Sequence, residues 1–159
     1  MNEQYHFFWK SKLSNWHMCD FVLEGTTYNC GEQAMMAAKA LLFNDKDTLF
    51  LIMTTHDPRT IQSLGRQVKG YNQETWDKHK YKIMVDLSYA RIAQNQYLKD
   101  ILMDTGDKIL VEASPVDKIW GIGLDASKAL VTPDTEWKGE NLLGKALTEV
   151  KNRLKVNPE

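Results

Sequence analysis

Cysteine, proline and histidine are scarce in this 159-residue sequence, with two, four and four copies. Two cysteines, Cys19 and Cys30, cannot build a disulfide framework. The histidines (His6, His17, His56 and His79) show no ligand spacing stronger than His17-x-Cys19, so no metal site is expected. No apolar run approaches the ~20 residues that a membrane-spanning helix requires, and no membrane association is expected. The first residues, Met1 to His6, lack the basic-then-apolar order of a secretory signal. The expected setting is therefore the cytoplasm, with both thiols reduced. An excess of one charge is missing too, since 20 basic residues face 21 acidic ones for a net charge of −1. Proteins that hold nucleic acid by charge alone carry a basic excess or stripe, so no stable nucleic-acid binding is expected. An enzyme that touches one nucleotide at a time remains open. With no repeat, low-complexity tract or Pro/Ser-rich linker, residues 1–159 read as one domain.

What is present is the composition of an ordinary globular protein, 43% hydrophobic and 26% charged. Residues 5–9 and 21–23 suit strands, and Glu24-Gly25 supplies a turn into Thr26-Thr27-Tyr28, which predicts a hairpin. Over residues 31–43 the period changes, because Ala34, Ala37, Ala38, Leu41 and Leu42 follow helical spacing. Asp57-Pro58 starts a second helix that Gly65 stops. Asn72 caps a longer helix carrying Trp76, Ile83, Met84, Leu87 and Ile92. A short helix near residues 96–104 ends at Thr105-Gly106, with the glycine suited to a left-handed C-cap. Residues 108–113 read as a strand, with Ile109 and Val111 on one face and Leu110 and Glu112 on the other. Asn141 is placed to N-cap the last helix, whose stripe is Leu142, Leu143, Ala146, Leu147, Val150 and Leu154. Residues 114–140, between strand and helix, form a loop-rich stretch long enough to be functional. The expected fold class is α+β, a mostly helical single domain with a few short strands.

Two constellations carry chemistry. Offsets of four and seven put Glu32, Met36 and Lys39 on one helical face, so a carboxylate, a thioether and an ammonium share it. A solvated charge pair beside an apolar stripe explains the same spacing. The second runs through Glu112, Asp117, Trp120, Gly121 and Gly123. A glutamate on an apolar strand is costly to bury without partners, and glycines beside an indole let backbone approach a flat ligand. A capping aspartate before a core tryptophan is the plainer account. Gly121-x-Gly123-x-x-Ala126 matches the dinucleotide fingerprint loosely, but Pro133, Asp134 and Gly139 break the helix that motif needs. Ser14, Ser114 and the cysteines lack the signatures of nucleophilic hydrolases. Arg66 suits a phosphate, and equally an exposed helix end.

The full ordered set is more specific than its parts. It comprises Leu13-Ser14-Asn15, Tyr28, Glu32 with Lys39, Gly65-Arg66, Trp76 and Met84. Leu110-Val111-Glu112, Asp117, Trp120-Gly121-Ile122-Gly123, Trp137-Lys138-Gly139 and Asn141-Leu142-Leu143-Gly144 complete it. This set resembles the YbiA-like family, also called the NADAR domain family, over residues 7–154. The resemblance implies the YbiA-like fold and N-glycosidase chemistry without a cofactor. It implies Glu32, Asp117 and Glu112 as catalytic candidates, and Trp76, Trp120, Lys39, Arg66, Gly121, Gly123 and Asn141 as substrate-binding ones. Two departures stand out. Gln33 occupies a position where the family often has histidine, with Met35-Met36 nearby, which puts the pocket wall and the substrate in question. Arg91-Ile92-Ala93-Gln94-Asn95 is a milder variation.

These residue types suit the implied reaction. Breaking a C1′–N bond builds positive charge on the ribose, which a carboxylate stabilises while orienting water. The leaving nitrogen must gain a proton, indoles hold a planar base, and Lys39 with Arg66 suits a phosphate. The leading expectation is an N-glycosidase acting on a small nucleotide-like substrate, such as a riboflavin-pathway phosphoribosylamino-pyrimidine. Two alternatives stay open. One is an ADP-ribosyl hydrolase acting on modified guanine in DNA or RNA, and the other a non-catalytic module that binds NAD or ADP-ribose.

Overall fold

In chain order, the computed structural model, which describes residues 4–157, runs β1 (Tyr5–Phe8), β2 (Met18–Leu23), β3 (Thr26–Cys30), α1 (Gly31–Leu42), α2 (Lys46–Met53), α3 (Pro58–Gly65), α4 (Gln73–Gln94), α5 (Gln96–Met103), β4 (Ile109–Glu112), α6 (Ala126–Leu130), a 3-10 turn (Asp134–Glu136) and α7 (Leu142–Val156). The class is α+β and mostly helical. Among the described residues no helix is long and apolar enough to cross a membrane. Two compact units emerge, Asn15–Asn95 and a second that joins residues 4–14 to residues 96–157.

The Asn15–Asn95 unit begins with the expected hairpin. Glu24 and Gly25 both take positive φ, +50° and +81°, the backbone of a two-residue turn whose twist matches its strands. Leu23 pairs with Thr26 and Phe21 with Tyr28, and a bulge lies between Phe21 and Met18. Strand β2 starts at Met18, earlier than the apolar run suggests, because Met18 pairs with Cys30 across that bulge. The outer edge of β2 is closed by α4. Gln94 accepts from Val22 N–H and donates to its carbonyl, both at 2.7 Å, and Asn95 donates to Asp20 O. Two amide side chains thus satisfy backbone groups that a third strand would otherwise take.

Strand β3 runs straight into α1. Cys30 caps that helix, its sulfur accepting from Gln33 N–H at 3.4 Å, and burial pushes the thiol up to about 11. Gln33, the departure from the family pattern, has its side chain tied up by backbone groups. Its side chain is buried, accepts from Asn29 N–H and donates to Ile52 O and Thr55 O. Its role is to lock α1 onto β3 and the end of α2.

Helix α2 lies where the sequence reading placed no element, and Asp45 starts it. Asp45 accepts from Lys69 N–H, Thr48 Oγ1 and Thr48 N–H at 2.8, 2.6 and 3.1 Å. The Lys69 N–H, then Thr48, hold this carboxyl down to about 2 from its ordinary 3.8. A depressed carboxylate contributes stability above its unfolded pKa and loses it as pH falls through the folded one. Acid unfolding followed by circular dichroism should therefore steepen between about pH 4 and pH 2. Asp45→Asn should flatten that segment of the curve, and an unaltered acid limb would refute the assignment.

In the other unit β1 and β4 pair in parallel, Tyr5 with Ile109 through Phe8 with Glu112. Leu110 and Val111 are both buried, so this strand does not alternate as expected. Helix α7 packs on β4, and Val111 joins Ile122, Ala129, Tyr5, Phe7, Leu124 and Trp137 in an apolar cluster. A parallel strand covered on both faces reads as a continuous apolar run. Gly106 takes φ +61° after α5, as its place in the sequence predicts. The stretch 114–140 is less irregular than its composition suggests, since it holds α6 and the 3-10 turn.

Asn141 corrects the expectation of a side-chain N-cap. Its φ is +54° and its side chain makes no capping bond. The first N–H groups of α7 are met instead by carbonyls of the preceding loop, Leu142 N–H to Ile119 O and Leu143 N–H to Trp120 O, both 3.1 Å. The Asn141 amide turns to β4, accepting from Glu112 N–H at 2.9 Å and donating to Leu110 O at 3.1 Å. Thr148 of α7 accepts the Leu110 N–H at 3.0 Å. Gly144 lies so close to Leu110 O that a Cβ there would collide with it.

Candidate functional site

The Asn15–Asn95 unit brings together Glu32, Lys39, Arg66 and Trp76. Glu32 stands in the first turn of α1, where the helix dipole favours a negative charge. Its N–H donates to Asn15 O at 2.9 Å, and the carboxylate is half-buried. Lys39 lies two turns along the same helix, also half-buried. Its Nζ stands 4.6 Å from the centre of the Tyr71 ring and 5.8 Å from that of Trp76. Burial lowers the Lys39 pKa, Glu32 raises it and Arg66 lowers it, so both charges act on this ammonium. Arg66 itself is exposed at the end of α3. Trp76 is only 7% exposed, and the Lys39 ammonium stands over its indole. Met36 packs its sulfur against Gly65, where a Cβ would displace it. The residues expected on one helical face thus do share it, and Met36 serves the α1–α3 contact.

Tyr71 belongs to this group, although no motif marked it. The local signal was an aromatic directly after Gly70, whose φ of +77° reverses the chain. Lys80 was also missed. It is buried on α4 and paired with Asp77 at 2.8 Å.

The second unit gathers Glu112, Asp117, Trp120, Gly121, Gly123 and Asn141 around one loop. Ser114 Oγ accepts the Asp117 N–H at 3.0 Å, and Asp117 Oδ1 accepts from Ile119 N–H and Trp120 N–H, both at 2.9 Å. The capping account of Asp117 therefore holds for one of its oxygens. Trp120 is half-buried and gives its carbonyl to α7. Glu112 ends β4 with its Oε2 shut off from solvent. Gly121 is where the loop packs against its own backbone. A Cβ there would stand 2.8 Å from Glu112 O and 2.9 Å from Asp117 O. Gly123 takes φ +74°, and its N–H donates to Asp117 O. Among the described residues, no group of three or more His, Cys, Asp or Glu side chains is arranged to hold a metal.

In its chemistry, the first unit offers an anionic oxygen at a helix start, two cations and two aromatic rings. The second offers two carboxylates, Glu112 at the end of β4 and Asp117 on a loop tied down by backbone hydrogen bonds.

Comparison with known proteins yields a family match. The family model described as the NADAR domain covers residues 7–155. An N-glycosidase of Acanthamoeba polyphaga mimivirus is 45% identical over 128 residues, 80% of this chain and 75% of that protein. A riboflavin biosynthesis protein of Vibrio vulnificus is 26% identical over 142 residues, 89% of this chain but 35% of that protein. The NMR structure of Escherichia coli YbiA shares the fold. Its TM-score is 0.80 at 23% identity, covering 99% of this chain and 89% of that one.

Proposed function

We propose, from the premise that this chain belongs to the NADAR domain family and is a hydrolase of N-glycosyl bonds, that it cleaves the C1′–N bond of a small phosphorylated ribosylamine. The substrate class is that of the phosphoribosylamino-pyrimidines of riboflavin synthesis, which the name of the Vibrio relative supports. The observation that carries the reading is that the Lys39 ammonium, beside the Tyr71 and Trp76 rings, feels both the Glu32 and the Arg66 charge. The substrate's charges call for such a set, one anion for the sugar and cations for the phosphate.

In this mechanism the C1′–N electrons leave with the nitrogen, which takes up a proton. Water adds to C1′ and gives up its own. Glu32 stabilises the charge at C1′ and orients that water. Asp117 is the second candidate, with one oxygen already committed to two backbone N–H groups. Glu112 supports its loop. Lys39 and Arg66 take the phosphate, while Trp76 holds the planar base. The setting we propose is the cytoplasm, with no stable nucleic-acid partner.

Separate incubations with a phosphoribosylamino-pyrimidine and with an ADP-ribosylated oligonucleotide test the substrate. Ribose 5-phosphate released from the first is the expected result. Release of ADP-ribose from the second alone would move the assignment to modified guanine. Tight ADP-ribose binding without product from either would make this a binding module.

A further inference from the structure

Tyr71 is 40% exposed, so burial does not hold it in place. Specific contacts do. Its hydroxyl donates to Gln73 Oε1 at 2.7 Å, and Phe43 meets its ring edge-on with centroids 5.4 Å apart. Two residues earlier, the Lys69 N–H is tied to Asp45, which fixes the turn that presents the ring. The tethered ring covers Lys39, whose ammonium has Trp76 on another side. An ammonium on a four-carbon stem would otherwise sample many rotamers. We propose that Tyr71 is a positioning residue for Lys39, holding the ammonium in one place and limiting its water so that it meets the anionic part of the substrate already oriented. This rests on the reading of Lys39 as a substrate-binding group.

The charges around the pair are known. Glu32 on α1 and Arg66 after α3 act on Lys39, while Asp77 and Lys80 on α4 act on Tyr71. Burial outweighs both charges in lowering the Lys39 pKa. Removing the ring should therefore return water and raise the titration midpoint.

The test is competitive acetylation of lysines across the alkaline range, with Lys39 read by peptide mass spectrometry. In Tyr71→Ala the Lys39 midpoint should move up towards its ordinary 10.5, and in Tyr71→Phe, which keeps the ring and its Phe43 contact but loses the Gln73 bond, it should move less. In steady-state assays Tyr71→Ala should raise KM for the phosphorylated substrate about tenfold, with a smaller fall in kcat, and Tyr71→Phe should restore most of both. An unchanged midpoint in a folded Tyr71→Ala protein, or an equal shift in Tyr71→Phe, would overturn the proposal. The labelling needs no substrate. Full turnover by Lys39→Met would therefore sink the substrate-binding role of Lys39, and the acetylation result would still decide whether Tyr71 positions it.

Discussion

Glu32→Gln is expected to yield a folded protein that has lost about two to four orders of magnitude in kcat. The amide is nearly isosteric, and the backbone anchors of this turn do not involve the carboxylate. Residue 32 contributes its backbone N–H to Asn15 O, and the start of α1 is built by Cys30 and Gln33 around it. Loss of an acid from the first turn costs a helix about 0.3–1 kcal/mol, a small fraction of a domain's stability. The catalytic loss is larger because an anion near C1′ interacts more strongly with the transition state than with the substrate. KM should consequently change little. Asp117→Asn is the informative companion, since its retained Oδ1 still accepts from Ile119 and Trp120. A silent Glu32→Gln beside an inactive Asp117→Asn would transfer the role to Asp117. Full turnover by both folded variants would remove the mechanism altogether.

What could be read from the sequence was whatever is decided locally. Asp57-Pro58 and Asn72 cap helices as expected, through bonds to N–H groups two or three residues on. The Glu24-Gly25 turn and Gly106 depend on φ at single positions. Helix α2 was missed although Asp45 and Thr48 have capping spacing, because its interior, Leu49-Phe50-Leu51-Ile52-Met53, is an apolar run without helical alternation. Asn141 and Gly121 were legible as important, but the contacts they make were not. Their partners are the Glu112 backbone for both and the Leu110 carbonyl for Asn141, remote in sequence. The candidate site divides the same way. Helical spacing alone put Glu32 and Lys39 on one face, while Tyr71 reaches Lys39 only through a turn that Asp45 holds from outside it.

Asn141→Ala is expected to destabilise the protein by about 3–5 kcal/mol, read as a fall in the urea midpoint at unchanged m value. Both two-stranded sheets are closed on an outer edge by amide side chains, Gln94 and Asn95 against β2 and Asn141 against β4. Asn141 carries the larger cost because it is buried. Its loss strips a partner from the part-buried Glu112 N–H and the buried Leu110 O, at about 1–2 kcal/mol for each. Alanine at φ +54° adds about 1 kcal/mol that asparagine largely escapes. Asn141→Gly removes only that last part and should fall about 1 kcal/mol short of the alanine variant. Asn141→Asp is the decisive substitution. It keeps an acceptor for Glu112 N–H but sets a carboxylate oxygen against the Leu110 carbonyl, so it should destabilise at least as much as alanine. A simple N-cap would predict the reverse, since aspartate caps helices as well as asparagine does. If Asn141→Asp were as stable as the wild type, the β4 bridge would be the wrong account of this residue. Gly144→Ala should disturb the same contact from the helix side, because its Cβ would press on Leu110 O and on the Asn141 amide together.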